Sequence, residues 1–122
     1  MKEYIIAIDA MGGDNAPKEI IKGSIDAINE NSKIKLILVG KEDIINNELS
    51  KYKYNKEQIN IQNATEIIKT TESPTAAIRE KKDSSIVVGL KLLKEGKASA
   101  FVSAGSTGAL LTGATIIIKR IK

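Results

Sequence analysis

The sequence has neither cysteine nor histidine. Within these residues that excludes disulfides, thiol nucleophiles, thiolate-ligated metals, Ser-His-Asp catalysis and imidazole metal ligation. Any catalysis must therefore use carboxylates, amines, hydroxyls and backbone dipoles. Tryptophan is also absent, and Phe101 is the only phenylalanine beside three tyrosines, so a core must be built from Ile, Leu, Val and Ala. No apolar run approaches membrane-spanning length, and residues 4–8 are too short, and too soon followed by Asp9 and Asp14, for a signal peptide. The expectation is a cytoplasmic protein. Charge of one sign is scarce as well: 19 Lys and Arg face 15 Asp and Glu, a net +4. That bias suits an acidic partner or an anionic substrate, and without a basic stripe interleaved with aromatics it does not point to nucleic acid.

What is present is an alternation of aliphatic runs and amphipathic stretches over 122 residues, the size of one domain at most. Residues 4–8, YIIAI, form a nearly continuous apolar run ending at Asp9, as in a strand covered on both faces of a parallel sheet. Pro17 then marks a helix start, with Ile21, Ile25 and Ile28 at helical spacing and Ile20 and Ala27 widening the stripe. Residues 34–39 predict a second strand closed by Gly40, residues 41–52 a helix, and residues 59–62 a third strand. Residues 63–72 are polar and aperiodic, a loop at the active edge. Ser73-Pro74 predicts a capped helix to about Lys81. Asp83 is expected to cap the next one, with Ile86, Val87, Leu90 and Leu93 buried and Gly96 as its stop. Residues 98–102 are the fourth strand, and a last helix follows. The order β-α-β-α-β-α-α-β-α predicts an α/β fold with a doubly wound, mostly parallel sheet. The last helix has no stop signal before Lys122, which suggests the first part of a longer protein.

Three clusters bear chemistry. SAGSTG at 103–108 joins a strand to a helix, with Gly105 and Gly108 removing side chains and Ser103, Ser106 and Thr107 supplying hydroxyls, the parts of an anion site. The same small residues are compatible with close packing of a helix on the sheet. MGGD at 11–14 also follows a strand, so Gly12, Gly13, Asp9 and Asp14 are expected on the same sheet edge as the first cluster. Asp9 and Asp14 either position a substrate donor or cap the turn. In REKKDSS at 79–85, Arg79, Lys82, Ser84 and Ser85 form a second candidate anion cradle, while Lys81 reads as a solvated charge.

DAMGGDNAP at 9–17, REKKDSS at 79–85 and SAGSTGALL at 103–111, in this order, resemble the N-terminal part of the PlsX family of phosphate acyltransferases in bacterial phospholipid synthesis. One departure is visible: Ser106 stands where the family usually has Asn, and a hydroxyl cannot donate and accept across an amide's span. The resemblance implies transfer of a fatty acyl group from acyl carrier protein to inorganic phosphate, giving an acyl phosphate. It implies a fold like the isocitrate and isopropylmalate dehydrogenases, a homodimer, no metal or other cofactor, and membrane contact through parts outside these residues. On this expectation residues 1–122 are the N-terminal part of one acyltransferase domain. Asp9, Lys82 and Ser106 are the expected catalytic residues, and Gly12, Gly13, Asp14, Ser84, Ser85, Ser103, Gly105, Thr107 and Gly108 the expected phosphate-binding ones. Phosphate is already nucleophilic and a thiolate leaves readily, so the missing His and Cys are no obstacle. The alternative is a phosphate- or nucleotide-binding α/β module without activity of its own. For the nucleotide form, neither GxGxxG after the first strand nor a P-loop is present.

Overall fold

The computed structural model describes residues 4–69, 71–105, 107–114 and 117, with Thr107 and Leu111 described by backbone alone. Strands Tyr4–Asp9 (β1), Ile34–Gly40 (β2), Ile59–Asn63 (β3) and Ala100–Val102 (β4) form one sheet in the order β3-β2-β1-β4. Every pairing is parallel. Helices are Lys18–Glu30 (α1), Glu42–Leu49 (α2), Pro74–Glu80 (α3), Ser85–Lys94 (α4) and Thr107–Gly113 (α5), with a 3-10 turn at Lys56–Gln58 before β3.

Alternation along the strands explains why helices lie on both faces. Ile6, Ile8, Leu36, Leu38 and Ile59 turn to one side, where Ile21, Ile25 and Ile28 of α1 and Ile45 and Leu49 of α2 complete a buried cluster. Ala7, Val39, Ile5 and Ile37 turn to the other, against Leu92 and Val88 of α4. A third cluster joins α3, α4 and α5 through Ala77, Ile78, Ile86, Val87, Leu90 and Ala109. The chain moves outward from β1 to β2 and β3, then returns to the opposite flank of β1. The strand order thus reverses between β1 and β4, where a crevice opens beyond the carboxyl ends of the strands.

The expected elements are all present, with local corrections. In α1, Ser24 is buried and Ala27 is exposed; the Ser24 hydroxyl tolerates burial because it donates to the Ile20 carbonyl at 2.8 Å. α4 buries Leu92 more fully than Leu93, because it is packed on two sides and needs two stripes, one for the sheet and one for α3 and α5. Its cap is Ser84, whose hydroxyl accepts from the Val87 N–H at 3.2 Å, and not Asp83. Ser73 occupies the N-cap of α3 without a side-chain hydrogen bond. Gly96 does end α4, at φ +76°. The run expected for a last helix beyond residue 117 lies outside the described residues.

The contact between α4 and β4 depends on Gly89, where a β-carbon would overlap the Phe101 ring. Gly89→Ala is expected to lower stability by about 1–3 kcal/mol through overpacking, read as a lower denaturant midpoint. An unchanged midpoint would show that the ring does not lie across this glycine.

Candidate functional site

Asp9 ends β1 and is 1% exposed. A buried carboxylate requires donors, and it has them. Oδ1 accepts from the Met11 N–H at 3.0 Å, and Oδ2 accepts from the Ser103 hydroxyl at 2.8 Å. The Ser103 oxygen in turn accepts the Gly105 N–H at 3.1 Å. This chain of bonds fastens the turn after β1 to the turn after β4. Glycine is required at position 12, where a β-carbon would lie 2.6 Å from Asp9 Oδ2 and 2.8 Å from the Gly105 nitrogen; at Gly105 the fit is tight, with a β-carbon 3.3 Å from the Gly12 Cα. Gly13 adopts φ +92° with the Ala104 carbonyl 3.3 Å from where a β-carbon would stand, so a side chain there is strained twice over.

Beside this clasp lies a cavity of about 340 Å³, lined by Asp9, Met11, Gly12, Gly13 and Asp14, by Ile67, Ile68, Lys69 and Thr71, and by Ser85, Ile86 and Gly105. Several of these residues carry unpaired donors. The backbone N–H groups of Gly12, Gly13 and Asp14 make no hydrogen bond among the described residues, nor does the Lys69 ammonium. Ser85 is 2% exposed, yet its hydroxyl also has no partner among them. The remaining wall, Met11, Ile67, Ile68 and Ile86, is apolar.

The cavity's second wall is the predicted loop, and the 79–85 block holds it in place. Thr65 donates both its N–H, at 3.0 Å, and its hydroxyl, at 2.6 Å, to Asp83 Oδ2. Glu66 forms a parallel bridge with Ser84, donating its N–H to the Asp83 carbonyl and accepting the Ser85 N–H. Lys81 is the correction here: it is not a solvated charge. Its ammonium donates to the Ile67 carbonyl at 3.0 Å and to Glu72 Oε2 at 2.9 Å, with Glu72 Oε1 at 2.8 Å. The Lys81 hydrogen bond, followed by that from the Lys69 N–H, lowers the Glu72 pKa from its ordinary value. The Thr65 hydroxyl and N–H lower that of Asp83.

Of the expected site residues, Asp9, Gly12, Gly13, Asp14, Ser85 and Gly105 line the cavity. Ser103 stands behind it, its hydroxyl committed to Asp9 and Gly105. Ser84 is fully buried as the α4 cap, and Lys82 is exposed away from the cavity lining. At Gly108 a β-carbon would meet Pro74 Cγ at 2.8 Å, so the missing side chain serves the approach of α5 to α3. Ser106 and the Thr107 side chain lie outside the described residues. Sequence reasoning placed Met11 in the MGGD turn and Ile86 in a buried helix stripe without a site role for either, and the polar, aperiodic loop at 63–72 was the one signal for Ile67, Ile68, Lys69 and Thr71.

A four-stranded parallel sheet with helices on both faces defines an α/β protein, and its cavity lies at the strand ends where the strand order reverses, the usual place of a ligand site in such folds. The chain belongs to the family described as "Fatty acid synthesis protein", whose model it matches over residues 4–122. Its relatives include proteins named phosphate acyltransferase, as the resemblance to PlsX implied. That of Clostridium botulinum (strain ATCC 19397 / Type A) is 55% identical over 118 residues, covering 97% of this chain and 35% of the relative. Those of Clostridium acetobutylicum and Clostridium kluyveri are each 54% identical over 118 residues, with 36% and 35% of the relative covered. The chain thus spans about a third of the length of these curated relatives.

The clasp predicts energetic coupling between residues 94 positions apart. Ser103→Ala and Asp9→Ala are each expected to cost about 1–3 kcal/mol, since each strands a partner that has lost its bond. The double variant is expected to cost less than the sum by about 0.5–3 kcal/mol, measured in a denaturant double-mutant cycle. Strict additivity would show that the two turns are not joined through this bond.

Proposed function

We propose that the full-length protein carrying this chain is a phosphate acyltransferase that moves a fatty acyl group from acyl carrier protein to inorganic phosphate, for phospholipid synthesis. On this reading residues 1–122 are the N-terminal part of a single acyltransferase domain, doubly wound like the isocitrate and isopropylmalate dehydrogenases. The protein is a cytoplasmic homodimer that touches the membrane through segments outside this chain. The observation that supports the reading most is the set of unpaired donors on residues lining one cavity: the N–H groups of residues 12–14, the Ser85 hydroxyl and the Lys69 ammonium. Consecutive backbone N–H groups and an ammonium suit a tetrahedral oxyanion.

The carboxylate of Asp14 lines the same cavity and makes no hydrogen bond among the described residues. Against a fully ionised anion it would be unfavourable; against hydrogen phosphate it accepts the P–O–H proton, which sulfate lacks. An unprotonated phosphate oxygen then attacks the thioester carbonyl carbon. The C–S bond breaks, and the proton released from phosphate passes by way of Asp14 to the departing thiolate, so acyl phosphate and free thiol result. The donors that hold phosphate supply proximity. Ile67, Ile68, Met11 and Ile86 exclude water beside the acyl chain. Asp9 and Ser103 act by holding the two turns, not by touching substrate. Arg79, Lys82, Lys91 and Lys94 are exposed and form the basic face for the acidic carrier protein.

Lys69→Met in the full-length protein is expected to raise the KM for phosphate about tenfold to hundredfold, the worth of one hydrogen bond from a charged donor, with little change in the KM for acyl carrier protein. An unchanged phosphate KM would remove the cavity from the phosphate site.

A further inference from the structure

We infer that Lys81 and Glu72 are positioning residues: their ion pair is a latch that sets Lys69 and Thr71 in the cavity wall and so governs anion affinity without touching the anion. The inference rests on the phosphate-site reading above and adds to it the part that holds the site's cation. Lys81 follows α3, so its backbone is anchored by a helix whose Ala77 and Ile78 are buried, and its N–H is bonded to the Ala77 carbonyl at 2.8 Å. From that anchor its ammonium reaches the Ile67 carbonyl on one side of the loop and the Glu72 carboxylate on the other.

Glu72 closes the loop on itself. Its Oε2 accepts the Lys69 N–H at 2.6 Å, while its own N–H donates to the Lys69 carbonyl at 3.1 Å. Lys69 is thereby held at both its backbone polar groups by one residue, and that residue is held by Lys81. Lys69 lines the cavity, and its side chain makes no hydrogen bond among the described residues. The two side chains of the latch are 29% and 28% exposed, so the pair is partly shielded from water, and it is reinforced by bonds to backbone that a surface ion pair lacks. Neither Lys81 nor Glu72 lines the cavity.

A purely structural pair would change stability and leave the two substrates affected alike. A latch on the phosphate end separates them. In the full-length protein, Lys81→Met and Glu72→Gln are expected to raise the phosphate KM about tenfold with the KM for acyl carrier protein within twofold of wild type, and to speed amide exchange at Lys69 about tenfold. Lys81→Arg, which keeps the charge and the donors, is expected to restore phosphate KM to within threefold and covers the case in which Lys81→Met does not fold. If Lys69→Met raises the phosphate KM while Lys81→Met, Glu72→Gln or, where Met does not fold, a tenfold-impaired Lys81→Arg departs from this pattern, the latch is overturned and the phosphate site stands. If the wild-type protein shows no phosphate-dependent acyl transfer, the functional reading falls; the exchange rate at Lys69 in the variants then decides the latch alone, and an unchanged rate overturns it.

Discussion

A carboxylate withdrawn from water at the end of a strand must find donors, and Asp9 finds them in two different turns. Its bonds to Met11 and Ser103 tie the end of β1 to the end of β4, the pair of strands between which the strand order reverses. Everything at the cavity mouth follows from how close that bond draws the two turns. Gly12 and Gly105 come within reach of each other's backbone, so Gly12 has no room for a side chain and Gly105 has little, and Gly13 turns left-handed beside the Ala104 carbonyl. The backbone N–H groups of residues 12–14, which line the cavity, make no hydrogen bond among the described residues; their turn is braced by the Asp9 side chain and by the bond from the Ala16 N–H to the Gly13 carbonyl.

The opposite wall is held by different physics. Among the described residues of 64–72 there is no strand or helix; they are held by the backbone bridge of Glu66 to residues 83–85 and by polar side chains, Thr65 to Asp83, Glu66 to the Asp83 N–H and Glu72 to Lys81. Ala64 and Ile68 from the same segment are buried in the core clusters behind it. Glu72 and Asp83 both have lowered pKa values, so their bonds are fully present above the ordinary carboxylate range and weaken as pH falls through and below it, near pH 4 and lower.

The fold was legible because its signals are local. Continuous aliphatic runs marked the buried parallel strands, and 3.6-residue spacing marked α1 and α4. Errors came where one element serves two neighbours, as with Leu92 and Leu93, or where a polar side chain had two possible partners. Asp83 has the right chemistry to cap α4, but Thr65, 18 positions earlier, supplies it with two donors, and Ser84 caps the helix instead. Lys81 belongs to a run of charges and looked solvated, since nothing near it in sequence shows that Glu72 and the Ile67 carbonyl wait beside it. The same limit applies to the site. The motifs were visible, but the division of labour among their hydroxyls was not: Ser103 braces Asp9, Ser84 caps α4, and Ser85 lines the cavity with its hydroxyl unpaired among the described residues.

The central claim is that the clasped turns and the Lys69 loop frame one anion site, and a crystal structure of the full-length protein with inorganic phosphate bound tests it most directly. The account predicts phosphate in this cavity, within hydrogen-bond distance of the Gly12 and Gly13 N–H groups, the Ser85 hydroxyl and the Lys69 ammonium, with the Asp9 to Ser103 bond intact behind it. Phosphate held instead by Arg79 and Lys82, with the cavity unoccupied at saturating concentration, would contradict it.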